Sequence, residues 1–308
     1  MLHLHFMAGI INLSEVDQFQ NLEFLAKQVV AGFITGLHKS PFHGFSVEFS
    51  EHRLYNNGES IKNIDWKLYA RSEKLFVKRF EEETNLRCHI VIDHSSSMFY
   101  PDKRENKLHF SLLSAAAIIQ LLKRQRDAAG LSVMSDALEV HTPAKSNNVH
   151  LNFIYSEMEK LFENQIPNKV ADIPKVLHQI AEAIHKRSLV VIFSDMFDNE
   201  NSEKIFDALQ HLRHYNNEVV LFHVTDKSTE LDFDFEDRPY KFTDLESGEE
   251  VKVQAGDIKE IYKERISSLK HQLSLKCAQY GIDFVEADIK AGFGPVLQAY
   301  LVKRQKMA

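Results

Sequence analysis

The chain has 308 residues, 44% of them apolar, enough to bury a real core in one large domain or two modest ones. A formal net charge of −7 argues against a nucleic-acid partner, whose phosphates call for a basic stripe. Two cysteines, Cys88 and Cys277, stand far apart without a C-x-x-C pair and read as buried thiols of a reducing compartment, not as a bridge or a zinc site.

In chain order, "MLHLHFMAGI" has no Lys or Arg ahead of its apolar residues, so no signal peptide is expected there. Ser14 is positioned to cap a helix whose apolar face includes Val16, Phe19, Leu22, Leu25 and Val29, ending near Gly32 to Gly36. "GFSVEFSEHRLY" (44–55) alternates in places like a strand, and "NNGES" (56–60) is a turn. The charged, aromatic segment 63–83 holds the single tryptophan, Trp66, and its last part reads as a strand.

From residue 87 the pattern becomes strand, helix, strand. Strands are expected at 87–93, 130–136, 188–195, 218–226 and 282–288. Helices are expected at 107–127, 148–162, 173–187, 203–215, 257–280 (closed by Gly281) and 294–304. Between 227 and 256 the alternation gives way to an acidic insertion with a hairpin, either a solvated excursion or a contact platform. The longest apolar run, 112–122, falls well short of the roughly 20 residues that cross a bilayer. The expectation is a cytoplasmic protein with no membrane span.

Continuous β-branched strands separated by helices predict an α/β fold: a three-layer, Rossmann-like domain with a mainly parallel central sheet, preceded by an N-terminal helix/strand extension. The domain limits read as 1–84 for the extension and 85–308 for the main domain. In such sheets ligands bind beyond the carboxyl ends of the strands. There, "HIVIDHSSSM" (89–98) sets Asp93, Ser95 and Ser97 two residues apart, so a turn aims a carboxylate and two hydroxyls at one point. Oxygen donors of this kind suit a hard divalent cation, Mg2+ above all. One carboxylate with neutral hydroxyls leaves such an ion short of negative charge and receptive to a partner's Asp or Glu. A second buried strand ends in Ser194 and Asp195, a further carboxylate for the same ion. The plainer reading of Ser95 to Ser97 is helix capping and turn formation.

D-x-S-x-S followed by this later "SD" resembles the metal-ion-dependent adhesion site of von Willebrand factor type A domains. The segment before it resembles the bacterial proteins called domain of unknown function 58, through Arg53, Tyr55, Gly58, Glu59, Ile64, Asp65, Trp66, Ala70 and Arg71. The C-terminal "YGIDFVEADI…VLQAYLVKR" resembles that family too, which commonly has Gly-Asp where this chain has Gly58-Glu59. The resemblance implies a von Willebrand factor A-like domain, with Asp93, Ser95 and Ser97 as the first metal-binding loop and Asp195 as the third. The threonine of the second loop has no counterpart in "HTPAKSNNVHL" (141–151), where Val149 falls in its place and Thr142, Ser146 and Asn147 are the substitutes at hand. Arg53, Tyr55, Gly58, Asp65, Trp66 and Arg71 are the signature, either a charge network anchored by Trp66 or a contact surface. By resemblance, the partner is a MoxR-type AAA+ ATPase for which this protein is a non-enzymatic adaptor.

Two other readings stand beside that one. In a Mg2+-dependent hydrolase or phosphatase, Asp93 would attack phosphate or hold the metal. Ser95 stands where haloacid-dehalogenase-type sites need a second aspartate, and no G-x-S-x-G turn is present. The other reading is a structural domain whose metal site has degenerated. Neither G-x-G-x-x-G nor a P-loop occurs, so a nucleotide site of those kinds is not expected.

Overall fold

The computed structural model describes residues 21–39, 52–54, 69–71, 74–78, 86–101, 105–163, 172–196, 202–245 and 248–307. The chain divides into two compact units, Ile34–Asn85 and the remainder. Within the smaller unit, β1 (His52–Leu54) pairs antiparallel with β2 (Phe76–Lys78), Arg53 standing opposite Val77, and residues 69–71 form a helical turn.

The larger unit is built on a six-stranded sheet. Its strands are β3 (Arg87–Asp93), β4 (Ala128–Met134), β5 (Leu138–His141), β6 (Leu189–Ser194), β7 (Glu218–Thr225) and β10 (Asp283–Asp288). Their order is β10-β7-β6-β3-β4-β5, parallel throughout except for β5, which runs antiparallel along β4. In β3 every residue after Arg87 is buried, as in all of β6, which explains their unbroken apolar sequences: a central parallel strand is covered on both faces. β5 is an edge strand with alternating half-exposed residues, and this short segment carries no apolar run by which the sequence could mark it.

The helices that cover the sheet are α2 (Lys107–Gln125), α3 (Asn148–Glu163), α4 (Ile173–Ala183), α5 (Ser202–His214), α6 (Ala255–Gln279) and α7 (Gly294–Met307). One buried cluster joins Val91, Ile192 and Leu221 of three neighbouring strands to Val176 of α4, Leu209 of α5 and Leu273 of α6. α2 is buried along almost its whole length, because it contacts α3 and α7 as well as the sheet. Asn106 caps it, its side chain accepting from the His109 N–H at 2.8 Å. At the end of α6, Gly281 takes φ +68°, a left-handed conformation that glycine adopts without a Cβ penalty.

α1 (Leu22–Lys39) starts from Asn21, whose side chain accepts from the Phe24 N–H, and runs through Gly32 and Gly36, past the expected end. Its buried residues Leu25, Ala26, Val29 and Val30 supply the packing that outweighs the glycines. Ser14 lies outside the described residues. The acidic insertion contains the expected hairpin, β8 (Pro239–Thr243) with β9 (Glu250–Gln254). Before it, Lys227–Leu231 forms a π-helical turn just past β7. Among the described residues no helix is long and apolar enough to cross a membrane.

Candidate metal and interaction site

Asp93 ends β3 and Ser194 ends β6, side by side in the parallel ladder, so their side chains leave the sheet at the same carboxyl rim. Asp93 is fully buried. Its Oδ1 accepts from the Ser95 N–H at 2.9 Å, and its Oδ2 accepts from the Ser194 hydroxyl at 2.5 Å. Ser194 Oγ in turn accepts from the Met196 N–H at 2.9 Å.

Ser95 stands at the start of a 3-10 turn, Ser96–Phe99, but its hydroxyl makes no capping bond. It faces the Ser97 hydroxyl instead, oxygen to oxygen at 3.0 Å. Capping therefore does not account for this serine. Adjacent ligands of an octahedral Mg2+ at about 2.1 Å are separated by about 3.0 Å, so the hydroxyl pair has the spacing of one edge of such a shell.

Asp195, one residue beyond Ser194 and 3% exposed, meets a cation supplied by the chain. Lys107, at the first turn of α2 and 1% exposed, donates from Nζ to Asp195 Oδ2 at 2.7 Å and to Glu230 Oε1 at 2.6 Å. Glu230 belongs to the π-helical turn, where its Oε2 accepts from the Asp226 N–H at 2.7 Å. A lysine in the first turn opposes the helix dipole, so this ammonium is held by its two carboxylates and not by helix preference.

The electrostatics follow from burial. Desolvation, then the charge of Asp195, pushes the Asp93 carboxyl up to about 6, against the pull of its Ser194 and Ser95 hydrogen bonds. For Lys107 burial works against the charged form, but Asp195 and Glu230 outweigh it and hold the ammonium protonated well above the ordinary lysine range. Burial also draws His223 down to about 4, so its imidazole is neutral at pH 7.

Asp93, Ser95, Ser97 and Asp195 thus stand at one rim, at and just past the ends of two adjacent strands. The second-loop reading needs correction. Thr142 Oγ1 accepts from the Leu131 N–H inside the sheet, Asn147 caps α3 through the His150 N–H, and Val149 is 83% exposed. Lys145 pairs with Ala129 near the start of β4, so this segment runs back to the rim opposite Asp93. The chain reaches the Asp93 rim at the start of α4, where the Asp172 N–H donates to Ser135 O just past β4.

Arg53 sits in β1, and Arg71 is exposed at the end of its helical turn. Tyr55, Gly58, Asp65 and Trp66 lie outside the described residues. His94, between Asp93 and Ser95, is 6% exposed and bonds through Nδ1 to Glu139 at 3.0 Å. Sequence reading missed Lys107, Ser194's bond to Asp93, and Glu230. Searching the residues past every strand end would have brought up Glu230, which lies only five residues beyond Thr225, the last residue of β7.

The donor set, one carboxylate with two hydroxyls and a second carboxylate nearby, has the chemistry of a hard-cation site. Among the described residues no three His, Cys, Asp or Glu side chains converge as a metal-holding group, so hydroxyls are indispensable to any such site.

A family model described as "Protein of unknown function DUF58" matches residues 51–272. An uncharacterized protein of Mycobacterium tuberculosis, Rv1480, is 25% identical over 177 residues, covering 57% of this chain and 55% of its own length. The uncharacterized protein Mb1516 of Mycobacterium bovis matches to the same extent. The chain thus spans about half the length of these curated relatives. Among solved structures, the conserved hypothetical protein BatB of Bacteroides thetaiotaomicron aligns with a TM-score of 0.46 at 12% identity, covering 72% of this chain and 98% of that one. An aerotolerance-related membrane protein of Bacteroides fragilis aligns with a TM-score of 0.37 at 15% identity, covering 69% and 99%.

Proposed function

From the premise that the chain belongs to the DUF58 family of proteins of unknown function, we propose that the Asp93 rim is a protein-interaction site centred on a divalent cation. Asp93, Ser95 and Ser97 hold the ion directly, and Asp195 stands behind them. When bound, Mg2+ supplies a hard positive centre that can take an Asp or Glu from a protein partner as its last ligand. The chain's own residues orient and dehydrate the site: Ser194 fixes the Asp93 carboxylate, and Lys107 with Glu230 fixes Asp195.

The carrying observation is the buried Asp93 carboxylate, bonded by neutral donors beside two hydroxyls 3.0 Å apart. At pH 7 the group formed by Asp93, Asp195, Glu230 and Lys107 has two negative charges left over, the charge a divalent ion neutralises. This is the von Willebrand factor A-like reading, and by the resemblance of its N-terminal signature the partner is a MoxR-type AAA+ ATPase for which this protein is an adaptor.

A binding role is favoured over a serine hydrolase by the direction of the serine proton. Ser194 stands next to His223 in the sheet register, but its hydroxyl donates to Asp93. A serine nucleophile needs its proton aimed at a base such as histidine.

Calorimetric titration with Mg2+, followed by a pull-down of the ATPase with and without EDTA, tests the reading. Complex formation should require Mg2+ and disappear in Asp93→Ala. Undiminished binding in EDTA would overturn it.

A further inference from the structure

A second feature stands on the same side of the sheet as α5 and α6. A pocket opens there between the end of β6, β7, the π-helical turn, α5 and α6. One part of its lining is apolar, formed by Met196, Ile205, Phe206, Ile266, Leu269 and Leu273. Polar groups reach it from Asp195, His223, Thr225, Glu230 and Gln272.

His223 is 7% exposed, its ring tilted against Phe284 at 5.4 Å between centroids. The ring is hydrogen-bonded to the backbone of Asp195, in the sense that favours the protonated ring, so the histidine is the donor and the carbonyl the acceptor. Nδ1 is buried and has no hydrogen-bond partner among the described residues. A neutral imidazole that donates from one nitrogen presents a lone pair on the other. Leaving that acceptor buried beside an apolar space is costly unless a donor comes to it.

The surroundings narrow the ligand further. The Asp195 and Glu230 carboxylates on the same wall already share the Lys107 ammonium, with one negative charge left between them, so an anionic molecule is disfavoured. Lys270, at the lining's edge, is engaged with Glu286 at 3.1 Å. An apolar body suits the apolar part of the lining, and one donor suits the unpartnered His223 Nδ1.

We propose that this pocket binds a compact, uncharged aromatic or heteroaromatic molecule carrying one N–H or O–H donor, bonded to Nδ1 of His223. The site borders the cation site through Asp195, and its test is read in EDTA, so the outcome does not depend on that reading.

The test uses the full 308-residue chain, labelled with 15N-histidine, and three probes: indole, 1-methylindole and indole-3-carboxylate. Indole should bind saturably and shift the His223 Nδ1 resonance. 1-Methylindole, which keeps the apolar body and lacks the donor, should bind at least fivefold more weakly. Indole-3-carboxylate should bind more weakly still. Leu273→Trp, which fills the pocket, should abolish indole binding. His223→Phe should bring indole and its methyl derivative to equal affinity. Equal affinities in the native protein, an unmoved His223 resonance, no saturable indole binding, or binding that survives Leu273→Trp would each overturn the proposal. The two native-protein comparisons decide the matter even if a variant does not fold. Loss of Mg2+ binding in Asp93→Ala leaves every one of these outcomes unchanged.

Discussion

Asp93 and Asp195 stand at the ends of neighbouring parallel strands, both almost wholly buried, but the first is met by a backbone N–H and a serine hydroxyl and the second by a lysine ammonium. One sequence signal, an aspartate just after a buried strand, has received two electrostatic solutions. At Asp195 the countercharge is part of the chain. At Asp93 the donors are neutral, and burial raises the carboxyl to about 6. In the proposed reading the uncompensated half of the rim is the half that recruits, and the compensated half holds it in shape.

Removing the internal countercharge should break this asymmetry with the largest effect. Lys107→Met leaves Asp195 and Glu230 facing each other in a buried site, and breaking one partner out of a buried ion pair costs about 3–5 kcal/mol. Urea denaturation in EDTA measures it. Added Mg2+ should recover more stability in this variant than in the native protein, because two carboxylates then lack a cation. A loss under about 1 kcal/mol would mean that the ammonium is not what secures Asp195.

Asp93→Asn probes the other half, and its sign is opposite. The folded-state pKa of Asp93 lies above its ordinary value of 3.8, so the folded protein holds this proton more tightly than the unfolded chain does. The stability contributed is fully present below about pH 3.8 and is lost as the pH rises through about 6. The difference corresponds to about 3 kcal/mol at most, because a shift of one unit is worth about 1.4 kcal/mol. Asparagine escapes that penalty but gives up one accepted hydrogen bond. At pH 7 in EDTA, Asp93→Asn should be more stable than the native protein by about 1–2 kcal/mol, with a flatter stability profile between pH 4 and 6 and no gain from Mg2+. A native profile without that slope would show that Asp93 ionises without strain.

Legibility in the sequence tracked the origin of each signal. β3, β6 and β7 were readable because burial on both faces forces continuous apolar runs, as in Ile90, Val91 and Ile92. Asp93, Ser95 and Ser97 were readable because two-residue spacing in a turn is local. Glu230 was within reach as an acid soon after a strand, but its pairing with Lys107 was not, since only the fold brings it to a residue 123 positions earlier. β5 was missed because an edge strand of four residues, half-exposed, leaves no periodic trace. That omission misplaced the second loop: only the antiparallel return of β5 carries residues 141–151 away from the Asp93 rim.

Thr142 therefore offers the smallest and most local test, one that separates the two rims. Its hydroxyl accepts from the Leu131 N–H at 2.8 Å, stitching the return segment to β4 on the side away from Asp93. Thr142→Val keeps the shape and removes the acceptor, leaving a buried N–H short of its partner. Stability should fall by about 1 kcal/mol in thermal or urea unfolding, because the Thr142 N–H bond to Leu131 O at 2.8 Å remains to hold the strand. Mg2+ affinity, read by calorimetry on the same samples, should stay at the native value. Val149→Thr should change neither quantity, since that side chain is solvent-exposed on α3. A drop in Mg2+ affinity in Thr142→Val, at unchanged fold, would return this threonine to the cation and contradict the placement of residues 142–150 at the amino end of the sheet.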